Sequence, residues 1–248
     1  WYMKNKIFFL LLIVITACST RYQVKEQSNL NRKIKGDSLG ALDQTVNTLI
    51  MPYKLALDSQ MNVFVIEAQD DFKKDNPEGS LGNMVCDVLM QYAAENKLPA
   101  DFCVLNNGGL RIPTLYKGSI TVRTIFELMP FDNKLVLVKI NGKKCIELFA
   151  AIALANGTPV SGLKMEISNQ NASQIYVGGV AFDVSKDYWI LTSDYLANGG
   201  DKSDALLNPQ ERIETNLLLR EVLIAQMRKM NSKNENLKPL LDGRITKK

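Results

Sequence analysis

Not one of the 248 residues is histidine. Zinc and iron centres in hydrolases draw on imidazole, as do most acid-base pairs and activated nucleophiles. These residues alone therefore cannot carry a histidine-dependent hydrolytic centre. Oxygen-only magnesium or calcium sites escape that exclusion, but the sequence shows no DxDxDG-type loop and no paired acids on a convincing scaffold. A CxxC pair is also missing. Cys86, Cys103 and Cys145 each sit in an apolar pattern and read as buried free thiols; an odd number cannot all pair, and a disulfide between two of them cannot be placed from sequence. A large excess of charge of one sign is missing as well, with 30 basic against 26 acidic residues. The formal net charge of +4 includes Lys4 and Lys6, which fall in a segment expected to be removed, so no footprint for a nucleic acid polymer survives.

Against these absences stands an ordinary globular composition, 46% hydrophobic and 23% charged, enough for one large or two small cores. The N-terminal part reads as an address. Met3 to Ser19 carries two lysines, an unbroken apolar run from Ile7 to Ile15, and small residues before Cys18. The run is too short for a comfortable membrane span and has the form of a signal peptide. Ile15-Thr16-Ala17-Cys18 resembles a bacterial lipobox, whose cysteine is acylated, and each buried CH₂ of an acyl chain contributes about 0.8 kcal/mol of anchoring. The expected layout is a lipoprotein signal peptide with acylated Cys18 over residues 1–18, a polar tether over 19–36, and a folded domain over 37–248, lipid-anchored in a bacterial cell envelope on the periplasmic side of the outer membrane.

The folded part alternates helical and strand patterns without a long linker. Asp37 or Ser38 caps a helix through ALDQTVNTLIMPYKLALDSQ that Pro52 should kink or divide. MNVFVIEAQ reads as a strand. Pro77 and Ser80 open a helix whose face is Leu81, Val85, Val88, Leu89 and Tyr92. ADFCVLNN is a short strand ending in a Gly-Gly turn, GSITVRTIFELMPF a turn and a helical piece, and KLVLVKINGKKCIELFAAIALA a strand, a turn at Asn141-Gly142 and a helix. SGLKMEIS, SQIYVGGVAF and DYWILTSDYL supply three strands, and ETNLLLREVLIAQMRKMN an amphipathic helix. The fold class is α+β.

Four segments then follow one another in a fixed order: SLGNMVCDVL from Ser80, LNNGGLR from Leu105, MPFDNKLV from Met129 and SDYLANGGD from Ser193, with PVSGLK from Pro159 between the last two. The series resembles the C-terminal domain of the 5′-nucleotidase family, over most of the chain from about Asp37 to Ile245. The resemblance implies a layered sandwich of mixed sheets flanked by helices. It also implies a division of labour: an N-terminal metallophosphoesterase domain holds two metal ions and hydrolyses, while the C-terminal domain holds the nucleoside part of the substrate.

What the resemblance implies for single residues is specific. Phe131 and Tyr195 would clamp a base between their rings, with Tyr195 standing where phenylalanine is usual. Arg111 would contact ribose or phosphate, Asn106 would read the base edge with Asn133 assisting, and Asp201 would accept hydrogen bonds from the ribose hydroxyls. Family members often carry an arginine just upstream of the LGN motif; here that region is KKDNPEGS, and Lys73 or Lys74 would have to serve without arginine's fork. No catalytic residue, metal site or cofactor is expected in this chain. Divalent metals are expected in a separate metallophosphoesterase partner, and the ligand is a nucleotide or nucleoside. The alternative is a nucleoside- or nucleotide-binding lipoprotein with no hydrolytic role.

Overall fold

The computed structural model describes residues 44–248. Cys18, the leader, the tether and the expected cap at Asp37 or Ser38 lie outside the described residues. Residues 52–248 form one compact unit, and residues 44–51 are the described end of another. The first helix among the described residues, α1 (Gln44–Met61), contains Pro52 and is not divided by it. Proline removes one backbone donor from a helix, and here Pro52 is exposed.

The chain continues through β1 (Phe64–Ala68), β2 (Phe72–Lys73), α2 (Ser80–Glu95), β3 (Phe102–Val104), β4 (Thr114–Leu115), β5 (Gly118–Thr121), α3 (Val122–Leu128), β6 (Lys134–Asn141) and α4 (Gly142–Leu154). The second half adds β7 (Val160–Ser161), β8 (Leu163–Ser168), β9 (Asn171–Val177), β10 (Val180–Ala181), β11 (Asp187–Ser193), α5 (Asp194–Ala197), β12 (Glu211–Leu218), α6 (Leu219–Ser232) and β13 (Ile245–Lys247). A five-stranded sheet in the order β12-β6-β11-β3-β7 is the spine, and a four-stranded sheet β10-β9-β8-β13 packs beside it. Both are mixed, because β3 runs parallel to β11 and β13 parallel to β8 while the other pairs are antiparallel.

Side-chain alternation along the spine feeds two separate cores. Leu135 and Leu137 of β6, Cys103 of β3 and Leu191 of β11 join the core beneath α2 and α6. Their neighbours Val136, Val138, Ile140, Phe102, Val104 and Ile190 join the core beneath α4 and the second sheet. A strand's period of two delivers this split directly, since successive side chains leave on opposite faces. The result is the expected α+β layered sandwich. Cys86, Cys103 and Cys145 are buried free thiols, and burial pushes the Cys145 thiol up to about 12.

α2 opens at Ser80 as expected, with Gly79 as its cap, and the buried Ser80 hydroxyl accepts from the Lys73 amide at 2.9 Å. Two other local expectations change. The segment before α3 begins as a strand, because residues 118–121 pair with β1 and Thr121 then caps the helix. ETNLL belongs to strand β12, whose pairing with β6 outweighs the helical pattern of the leucines that follow.

Candidate functional site

Topology brings three loops to one end of the spine. β3 and β11 run parallel, so their C-terminal ends lie together, and antiparallel β6 begins where β11 ends, with Leu135 opposite Ser193. Crevices outside the carboxyl ends of parallel strands are where ligands commonly sit in open sheets.

The first loop, LNNGGLR, leaves β3 through a single 3₁₀ turn at Asn107–Gly109. A Cβ on Gly109 would stand 2.9 Å from the Asn106 Oδ1, and one on Gly108 3.3 Å from its Nδ2, so the two glycines leave the room that the Asn106 amide fills. Arg111 is exposed. Its backbone is fixed to the Leu128 carbonyl at 2.9 Å, but its guanidinium donates only to the Gly108 carbonyl at 3.4 Å and lies 5.6 Å from the centroid of the Phe131 ring.

The second loop, MPFDN, joins α3 to β6 and is held from behind by Arg220 of α6. That guanidinium donates to the carbonyls of Pro130 (3.4 Å) and Phe131 (3.0 Å), pairs with Asp132, and stacks 4.6 Å from the Phe126 centroid. With the backbone clamped this way, Phe131 projects into solvent, 46% exposed. Asn133 is fixed through its own carbonyl, which accepts from the Leu219 amide at 2.9 Å.

The third loop, SDYLANGGD, starts where Ser193 caps α5 by accepting from the Leu196 amide. Asp194 ties it to the start of β6 by accepting from the Lys134 amide at 3.0 Å. Gly199, Asp201 and Lys202 all have positive φ, at 86°, 51° and 62°. Left-handed backbone is free for glycine, tolerated by aspartate and uncommon for lysine, so this turn is held by its contacts. Tyr195, 43% exposed, lies over Gly200, where an added Cβ would meet the ring at 2.5 Å. Its hydroxyl donates to Asp201 Oδ1 at 2.9 Å, and Asn106 Nδ2 donates to Asp201 Oδ2 at 2.5 Å.

All six sequence-predicted site residues, Asn106, Arg111, Phe131, Asn133, Tyr195 and Asp201, line one cavity of about 340 Å³ with Gly108 and Gly109. Two half-exposed rings, a loosely bonded arginine, two amides and a carboxylate form a surface able to stack a planar ring and bond a polar group beside it. The Asn106–Asp201 pair is also the edge of a second cleft of about 260 Å³, walled by Leu148, Ala151 and Ile152 of α4 with Leu196 and Leu206. On the other side, Arg111 shares an open cleft with Lys74, whose ammonium donates to the Leu110 carbonyl at 3.1 Å. Lys73 lines a different depression with Asp71 and Glu78, so of the two lysines Lys74 is the one beside Arg111.

Sequence reasoning missed Arg220 and the bond from Tyr195 to Asp201. The second was within reach, since Tyr195 and Asp201 are six residues apart across a Gly-Gly turn, which brings side chains back on each other. The LGN motif turns out to be framework. Gly82 packs on Pro159, where a Cβ would fall 2.9 Å from the proline ring, and buried Asn83 donates to Glu78 at 2.7 Å and to the Leu240 carbonyl at 2.9 Å. Among the described residues no three acids or thiols gather to hold a metal ion.

Residues 62–208 match the family described as 5′-nucleotidase, C-terminal domain. The chain is similar to a 5′-nucleotidase of Vibrio vulnificus, 24% identical over 73% of this chain and 34% of that protein. It is also similar to Protein UshA of Escherichia coli, 25% identical over 76% of this chain and 35% of that protein. It therefore spans about a third of the length of these curated relatives. The crystal structure of a 5′-nucleotidase precursor from Thermus thermophilus superposes with a TM-score of 0.71 at 23% identity, over 83% of this chain and 43% of that one, a likeness of fold.

Proposed function

The chain belongs to the 5′-nucleotidase C-terminal domain family, and from that premise we propose that its cavity holds a nucleoside or nucleotide for hydrolysis by metals supplied from outside these 248 residues. The supporting observation is the convergence of Phe131 and Tyr195, both half exposed, on one cavity with Arg111 and Asp201. Large aromatics are normally buried, because each removes much apolar area from water. Two left half open on neighbouring loops suit a base, whose stacking on an aromatic side chain contributes about 1–3 kcal/mol.

In this reading the base lies between Phe131 and Tyr195, with Asn106 and Asn133 at its polar edge. Asp201 accepts from the sugar hydroxyls, and Arg111, with Lys74 beside it, meets phosphate. A guanidinium with most of its donors open suits an anion, and a second cation adds attraction without adding the fork. The divalent metals and the water-activating chemistry belong to a metallophosphoesterase unit, which we take to be a separate chain. The folded domain at 37–248 sits on a tether from a lipidated Cys18, facing the periplasm.

Calorimetric titration of the full chain with adenosine, AMP, uridine and UMP tests this. Saturable binding of at least one nucleoside, tighter for its monophosphate, is expected. Absence of binding by all four at millimolar concentration overturns it. The chain alone is expected to release no phosphate from AMP with magnesium, manganese or zinc, and to support release once a metallophosphoesterase is added; turnover by the chain alone contradicts the division of labour.

A further inference from the structure

Asp201 is already bonded on both oxygens before any ligand arrives. Its Oδ1 accepts from the Tyr195 hydroxyl at 2.9 Å and its Oδ2 from Asn106 Nδ2 at 2.5 Å. The three residues come from two loops that meet only through the fold, Asn106 beyond β3 and the other two beyond β11. Each anchor is itself fixed. Asn106 lies in the room left by Gly108 and Gly109, and the Tyr195 ring lies over Gly200, with no space for a Cβ between them. Asp201 has left-handed φ of 51° in an exposed turn, a conformation that its own backbone does not favour. The two side-chain bonds are therefore what fixes the direction of its carboxylate.

An ionised carboxylate offers about four lone-pair positions, so one donor on each oxygen leaves one position open on each. Two open acceptors side by side match two adjacent hydroxyl donors, the pattern of a cis-diol. Phenylalanine at position 195 would present the same ring face to a base and leave Oδ1 without its anchor. The phenol is also suited to remain a donor, since the hydrogen bond to Asp201 raises its pKa above the ordinary tyrosine value.

We propose that the Tyr195 hydroxyl is a specificity-determining group, which positions Asp201 so that the site selects ligands carrying an intact ribose cis-diol over their deoxy counterparts. The inference rests on the nucleoside reading of the cavity and goes beyond it by naming the atom that holds Asp201 in place for the sugar. Tyr195 acts on the base through its ring and on the sugar only through Asp201.

The test compares the wild-type chain with Tyr195→Phe, titrating each with adenosine, uridine and their 2′,3′-dideoxy analogues, with thermal melting as a check on folding. The wild type is expected to favour the ribonucleoside by about tenfold, the size of one hydrogen bond to a charged group. Tyr195→Phe should hold the dideoxy compounds within about twofold of wild type, because the ring face is kept. Its affinity for the ribonucleosides should fall about five- to tenfold, so that the preference collapses. Asn106→Ala, which removes the other anchor, should narrow the preference in the same direction. If the wild type binds neither class, the nucleoside reading falls. If the wild type discriminates and Tyr195→Phe discriminates equally, or loses both classes in parallel at an unchanged melting temperature, the cavity keeps its assignment and the hydroxyl loses its role.

Discussion

Arg244 and Arg111 bring the same set of donors to opposite fates. Arg244, 7% exposed just before β13, uses every N–H it has: Nε and Nη2 reach Asp242 at 2.9 and 3.0 Å, Nη1 and Nη2 reach Asp87 at 2.7 and 3.1 Å, and Nη1 also reaches the Val160 carbonyl at 2.9 Å. Burial works against its charge, yet the bonds to Asp87 and Asp242 outweigh it and hold the guanidinium above its ordinary pKa. Arg111 spends one donor, at 3.4 Å, and rests beside a ring. Arg220 stands between them: it clamps the Phe131 loop, and its buried Nε has no partner. Five donors satisfied by protein leave nothing for a ligand, whereas an exposed fork with open donors is available for one. The molecule thus separates a saturated framework from an unsaturated site, although both use the same residue type.

Breaking the framework should have the largest effect. Arg244→Met leaves Asp87 and Asp242 without their cation and the Val160 carbonyl without its donor. Removing one partner of a buried ion pair costs about 3–5 kcal/mol, and the low end applies because both acids reach solvent. Urea denaturation is expected to show a loss of about 3 kcal/mol. Arg111→Met, by contrast, should stay within about 0.5 kcal/mol of wild type, the ordinary range for a surface change. Equal destabilisation by the two substitutions would abolish the distinction.

The site side is sharpened by Phe131→Ala and Tyr195→Ala. Each should weaken nucleoside binding by about 1–3 kcal/mol while shifting the melting temperature little, because the rings are already half in water. The discriminating result is the pairing of the two readouts. A loss of stability matching the loss of affinity would mean that the rings belong to the framework.

How far this division was legible in the sequence depends on the range of the contacts behind it. KLVLVKIN announces a strand locally, but nothing local says that Leu135 and Leu137 serve one core while Val136, Val138 and Ile140 serve another. Phe131, Tyr195, Arg111 and Asp201 could be picked out because each stands beside turn-forming residues in a recognisable motif, and turns place side chains at a surface. ETNLL was misread because its leucines continue into α6, and only the partner strand β6 decides otherwise. Arg244 contacts Asp87 across 157 positions and Arg220 contacts the Phe131 carbonyl across 89, and neither neighbourhood carries a signal of it. The SLGN segment was legible as a motif and opaque as to purpose, since the residues it braces, Pro159 and Leu240, are equally remote.

The smallest effect belongs to an ion cluster on the rim of the framework. Glu95, at the end of α2, meets Lys229 of α6 at 2.7 Å and Lys233, the residue just past the end of that helix, at 3.0 Å, with Gln226 at 3.2 Å. The hydrogen bond from Lys229, then those from Lys233 and Gln226, lower its pKa from 4.5 to about 2. A carboxyl more acidic when folded than when unfolded stabilises the fold above pH 4.5, and that contribution disappears as pH falls towards 2. Glu95→Gln should therefore be slightly less stable than wild type at pH 7, with the two unfolding curves converging as pH drops through that window. Salt should shrink the difference, because the cluster is open to solvent and surface pairs are screened. Nucleoside affinity should not move, since none of these groups lines the cavity. A change in affinity with Glu95→Gln would mean that the α2–α6 contact feeds into the site through Arg220, which sits on the same helix, and that the framework and the site are one system.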